Sequence, residues 1–240
     1  MGLTGDALAL ACGGLVGFTL GLIGGGGSIL AVPMLVYVVG VADPHVAIGT
    51  GALAVAASAF VNLVNHARAG NVKWNCGLAF AGAGVVGAWL GAALGKAVDG
   101  KRLLLLFGFA MIAVAATMLR RRSQDGKPDV RLHAGVVHIL GPRLAAAGFG
   151  VGALSGFFGI GGGFLVVPGL MASTDMPLMF AIGTSLVSVT AFGLTTAASY
   201  ALSGWVDWTL AALFVAGGAA GGFVGAATAR RLSGGKRALS

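Results

Sequence analysis

Gly24-Gly25-Gly26-Gly27-Ser28-Ile29-Leu30-Ala31-Val32-Pro33 and Gly159-Ile160-Gly161-Gly162-Gly163-Phe164-Leu165-Val166-Val167-Pro168 are the stretches from which the architecture of this chain can be read. In each, glycines interrupt an apolar segment shortly before a proline. Pro33 and Pro168 lie 135 residues apart, and at that offset Gly17 falls on Gly152 and Gly21 on Gly156. After a one-residue gap the offset is 134, which brings Thr50 onto Thr184, Asn62 onto Thr196, and His66, Gly70 and Trp74 onto Tyr200, Gly204 and Trp208. Gly87-Ala88-Trp89-Leu90-Gly91 then meets Gly221-Gly222-Phe223-Val224-Gly225. Solenoid units run about 20 to 50 residues, so this period is one duplication and not an array.

With 57% hydrophobic residues, 9% charged residues and a mean hydropathy of +0.95, the chain carries far fewer charges than the roughly 25% of a soluble domain and must face lipid. The 44 glycines suit close helix approach in a membrane. Small-residue pairs four apart, such as Gly17 and Gly21, Gly87 and Gly91, Gly152 and Gly156, and Gly221 and Gly225, read first as packing positions. Two similar halves, each broken in mid-segment by glycine, outline a secondary transporter whose site lies between the halves. Cys12 and Cys76 have no metal or redox spacing and read as small buried hydrophobes. No metal or cofactor motif is found, and His45, His133 and His138 form no ligand spacing.

A spanning helix needs about 20 apolar residues, and on that ruler the chain divides into about 7 to 9 membrane segments. The predicted fold is an all-α polytopic membrane protein of two inverted repeats. The first repeat covers residues 1–120, a cytoplasmic basic linker 121–142, and the second repeat 143–240. Residues 28–41 and 163–173 are too short to cross comfortably and hold the helix-breaking Pro33 and Pro168. They read as half-helices, re-entrant hairpins or short steep spans, tolerated only where protein or a watery cavity satisfies the freed backbone. No Lys or Arg precedes the first apolar stretch, so a cleavable signal peptide is not expected.

The basic loop from Arg120 to Arg131 and the tail with Arg230, Arg231, Lys236 and Arg237 should both be cytoplasmic, which accounts for the net charge of +8 without nucleic acid. Counting back through five segments puts the N-terminus outside and inverts the second half. Lys96, Lys101 and Arg102 sit awkwardly in that topology, since it leaves them outside.

Glycine lets the backbone turn and expose N–H groups, and a helix starting just beyond adds its positive dipole end, which attracts anions. The predicted substrate-binding residues are therefore Gly24, Gly25, Gly26, Gly27 and Ser28 in the first run and Gly159, Gly161, Gly162 and Gly163 in the second. Thr50, Asn62, Thr184 and Ser185 are the polar candidates in the following segments. The competing reading of the runs is a tight helix crossing with no ligand. No Lys-Ser or Lys-Thr follows the glycines, so they are not a nucleotide loop. No Asp or Glu lies inside a membrane segment, so the carboxylate relay of a proton-coupled carrier is missing. An anion leaving a negative interior gains about 2.3 kcal/mol per charge per 100 mV, which needs no coupling ion. No catalytic pair or metal motif lies in the membrane, so an enzyme is not expected.

The doubled glycine run with its apolar spacer and proline, together with Ile48-Gly49-Thr50 and Ile182-Gly183-Thr184, resembles the sulfite exporter TauE/SafE family of membrane permeases. The resemblance implies a multi-pass inner-membrane protein exporting sulfite or a small organosulfonate, with a small anion and lipid as partners. The alternatives are a passive anion channel and a transporter of an unrelated small anion. Gly100-Lys101-Arg102 leads into a helix, whereas Gly235-Lys236-Arg237 is followed only by Ala238, Leu239 and Ser240, so the last helix of the second repeat is expected to be lacking. A homodimer is expected if a neighbouring copy fills that place.

Overall fold

The computed structural model describes residues 3–120 and 137–237, and its regular elements are all helical. In order they are α1 (Leu3–Ile23), a 3-10 helix (Gly24–Leu30), the short α2 (Ala31–Pro33), a π-turn (Met34–Val38), α3 (Pro44–Arg68), α4 (Trp74–Lys96), α5 (Gly100–Arg120), α6 (Val137–Phe158), α7 (Gly163–Thr174), α8 (Leu178–Ala201) and α9 (Trp208–Arg237). Stretches within α1, α3, α4, α8 and α9 are long and apolar enough to cross a membrane, and Gly26–Val38 and Gly163–Thr174 are shorter apolar helices. This is the all-α polytopic architecture expected from composition. Most of the basic linker, His133 and the residues after Arg237 lie outside the described residues.

Two seams organise the bundle, α1 against α9 and α4 against α6. A Cβ on Gly148 would land on the Phe80 carbonyl, one on Gly152 on the Gly84 carbonyl, and one on Gly156 on the Ala88 carbonyl. Both helices advance four residues together, so they run parallel with backbones in direct contact. Gly13 against Phe214, Gly17 against Gly218 and Gly21 against Gly222 repeat the same three contacts in the other seam. Each seam joins a helix of one half to a helix of the other.

At the centre α3 lies on α8. The start of α3, at Gly49, meets Tyr200 at the end of α8 and Trp205 just beyond it, while Gly193 meets Ala52 and Ala56, so these two helices at equivalent sequence offsets run antiparallel. Gly218 and Gly222 of α9 meet Ser58 and Asn62 of α3 in rising order, making α9 parallel to α3. Gly77 and Gly84 of α4 likewise meet Thr184 and Phe192 of α8. Thus α1, α3 and α9 point one way and α4, α6 and α8 the other.

This arrangement decides what the broken segments do. Gly21 is level with Gly222, and Gly222 with Asn62, so the end of α1 lies beside the far part of α3. At 1.5 Å per residue the chain must then return about 27 Å to begin α3 at Pro44. The re-entrant alternative fails here, because residues 24–43 travel the length of the bundle. α7 performs the same return between the parallel α6 and α8. Local chemistry starts α3 cleanly: Pro44 presets the helical φ, and the Asp43 carboxylate accepts the His45 N–H at 2.8 Å.

The outer surface carries large apolar side chains, among them Leu78, Leu94, Leu105, Phe109 and Ile112. Gly152→Val should lower stability by about 3 kcal/mol through overpacking against the Gly84 backbone. Gly82→Ala, with nothing within 4 Å of its added Cβ, should instead be neutral or slightly stabilising. Thermal unfolding of the purified protein in detergent compares the two.

Candidate functional site

α6 ends in a turn in which Gly159, Gly161 and Gly162 take left-handed φ values of +69°, +66° and +68°. Ile160 between them is 1% exposed and packs in a cluster with Val32, Ile48 and Phe164. Burying that side chain forces the flanking residues into a backbone that only glycine adopts cheaply. The turn is closely walled. A Cβ on Gly161 would stand 3.1 Å from a Val55 methyl and 3.6 Å from a Val189 methyl, and one on Gly162 would stand 2.6 Å from Ser155 Oγ. Val55 and Val189 are repeat equivalents, each near the middle of its helix. Gly161 therefore sits where the two halves cross, at mid-depth.

The Gly159 N–H donates to the Ser155 carbonyl at 2.8 Å and the Ile160 N–H to the same oxygen at 3.3 Å. Beyond the turn, the Leu165 and Val166 N–H groups both donate to the Gly162 carbonyl at 2.9 Å. Between these sets, the N–H groups of Gly161, Gly162, Gly163 and Phe164 make no well-formed backbone hydrogen bond among the described residues, the Gly161–Gly162 turn being closed only loosely on the Ile160 carbonyl. All four residues are buried. A buried donor without a partner costs about 1–3 kcal/mol, so four in succession at a helix start form an acceptor-seeking cradle.

The first run is built differently. Gly24, Gly25, Gly26, Gly27 and Ser28 wind into the 3-10 helix, whose N–H groups turn back on the preceding carbonyls. The physical reason lies at Gly25, the counterpart of Ile160, which has no side chain to bury and so imposes no left-handed turn. The helix start expected just beyond each glycine run is present as a separate N-terminus in the second half alone. The two runs do come together, since the 3-10 helix packs against α7 and α8. Gly27 lies on Thr19 and Leu20 of α1, and Ser28 is fully buried.

The prolines also need correction. Pro168 lies inside a continuous α7 and removes one backbone bond without ending the helix; the break is at Gly159–Gly162. Pro33 does mark a change of winding, from α2 to the π-turn, where the Val39 N–H reaches back to the Met34 carbonyl at 3.0 Å.

The polar candidates do not converge on one spot. Thr50 Oγ1 accepts the Asp207 N–H at 3.0 Å, and Thr184 Oγ1 accepts the Lys73 N–H at 3.0 Å. Asp207 and Lys73 are themselves repeat equivalents, so these are two copies of one clasp, at opposite ends of the bundle. Asn62 faces α9, donating from Nδ2 to the Ser58 carbonyl at 3.0 Å, while its buried Oδ1 has no partner among the described residues. Ser185 donates to the Ile182 carbonyl of its own helix at 2.7 Å. Ser155 was not anticipated, because its counterpart is Leu20 and comparison of the halves conceals it. Lys96 gains a structural role, donating from Nζ to the Ser199 carbonyl at 3.0 Å and thus capping the end of α8.

These features define a polytopic helical membrane protein with a donor-lined turn at its centre. The sequence matches the family model for sulfite exporter TauE/SafE over residues 9–239, and the chain belongs to that family. It is 50% identical over 233 residues to a probable membrane transporter protein of Xylella fastidiosa strain 9a5c, covering 97% of this chain and 88% of the relative. It is 30% identical over 239 residues to the probable membrane transporter protein YunE of Bacillus subtilis, covering 91% of this chain and 87% of that one. No solved structure matches the chain. Family and relatives agree on a membrane transporter.

Thr184→Val should strip the Lys73 N–H of its acceptor and cost about 1 kcal/mol, with Thr184→Ser retaining most of the stability. Denaturation midpoints of the three proteins test the clasp.

Proposed function

We propose that the chain is a secondary permease that exports a small sulfur-containing anion, sulfite or an organosulfonate, across the inner membrane. The observation that carries this reading is the run of four buried N–H donors from Gly161 to Phe164, at mid-depth between repeat-equivalent helices. A broken helix whose start faces the midplane between two halves is the usual substrate seat of such carriers. The antiparallel course of α3 and α8 supports an inverted repeat. The choice of sulfur oxyanions rests on the family.

Orientation follows from charge. Arg68, Lys73, Arg143 and the ends of α5 and α9 belong to one end of the bundle, whereas Asp43, Asp99 and Asp207 accompany Lys96, Lys101 and Arg102 at the other. The basic end faces the cytoplasm on the positive-inside rule. A negative interior then drives a monovalent anion outward with about 2.3 kcal/mol per 100 mV.

Proteoliposomes holding the protein should show saturable flux of hydrogen sulfite or of a singly charged sulfonate such as methanesulfonate, rising with an imposed potential and not driven by a proton gradient. Gly161→Val should abolish it, since the added side chain would press on Val55 and strain a backbone held at a φ of +66°. Non-saturating flux would instead mark a channel, and normal flux in the variant would reduce the turn to packing.

A further inference from the structure

The turn holds one more polar group than the backbone supplies. Ser155 is fully buried and its hydroxyl has no partner among the described residues, although its carbonyl accepts twice. Serines buried in apolar helices ordinarily donate to the carbonyl four residues back. Ser155 Oγ instead lies where a Cβ on Gly162 would be, 2.6 Å from that position, against the residue that caps the start of α7. An unused hydroxyl thus lies against Gly162, the residue from which α7 starts.

We propose that Ser155 completes this cradle as a ligand for the head of a singly charged oxyanion, and that the seat discriminates against doubly charged ones. The inference rests on the permease reading above and specifies its substrate. Two physical arguments set the charge. The start of α7 is worth roughly half an elementary charge, and the described cationic side chains, Arg68, Lys73, Lys96, Lys101, Arg102 and Arg143, belong to the helix ends and their adjoining loops. A second negative charge would therefore lie in a low-dielectric interior without a counterion, where desolvation is severe. The walls point the same way. Methyls of Val55, Val189 and Ile48 border the turn together with the Val189 carbonyl oxygen, 3.6 Å from a Cβ placed on Gly161, a lining that suits a head carrying a small apolar substituent and repels a fourth charged oxygen.

The test compares methanesulfonate with sulfate, which share the oxygen geometry of the head and differ by one charge. Purified protein in nanodiscs is titrated with each at fixed ionic strength, following thermal midpoint and heat of binding, for wild type, Ser155→Ala and Ser155→Cys. Methanesulfonate should bind the wild type and sulfate should not. Ser155→Ala should fold at least as stably, having lost a buried unpaired hydroxyl, yet bind methanesulfonate about tenfold or more weakly, as expected for a hydrogen bond to a charged group. Ser155→Cys, with a weak donor of similar shape, should fall between. Equal binding of sulfate and methanesulfonate by the wild type, or unchanged methanesulfonate affinity in Ser155→Ala, would overturn the inference. If wild-type proteoliposomes still carry an anion in either case, the permease reading survives that failure; absence of any anion flux would remove both.

Discussion

Direct contact between parallel helix backbones is the constraint on which the rest of this molecule depends. In lipid there is little hydrophobic gain from bringing helices together, so association relies on dispersion and fine fit. Glycine at Gly17, Gly148, Gly152 and Gly218 lets carbonyls lie where side chains would otherwise stand. Because each seam joins helices from different halves, the halves are interlocked. That interlock fixes α3 against α8 in antiparallel register and brings Val55 opposite Val189, which in turn determines where the chain between α6 and α7 must pass.

The centre of the bundle shows what such a frame permits. Three left-handed glycines and four unpaired donors would be costly in a soluble core, where strain and orphaned polar groups weaken a fold directly. Here they are held by rigid neighbours: Ile160 in its cluster, Phe164 beside Phe107 with ring centroids 6.5 Å apart, and Phe192 behind Gly162. Polarity is supplied almost entirely by backbone.

Much of this was legible beforehand. Long apolar stretches with small residues spaced by four announce an all-helical membrane protein, because helical periodicity is a local property, and the doubled glycine runs at an offset of 134 to 135 residues lead to the expectation of two similar halves. Which helix meets which is not local, and nothing in Gly84 or Gly152 alone reveals that they touch. The equivalence of the two runs misled for a physical reason: Ile160 against Gly25 is a single difference, yet it separates a left-handed turn from a 3-10 helix. Ser155 stayed hidden because its significance lies in an unused hydroxyl. The threonines were noticed correctly as a repeated pair, but their repetition reflects a clasp at each end.

The exchange of helices between halves also sets an order of events during synthesis. Gly152 meets Gly84 across a modest stretch of chain, so the α4–α6 seam is available soon after α6 enters the membrane. Gly17 waits for Gly218, and at about 5–20 residues per second that interval lasts on the order of 10 to 40 seconds. Two seams of the same geometry therefore close at different times. Helix α1 therefore waits longest for its seam partner, its glycine face turned to lipid or to the insertion machinery until α9 arrives.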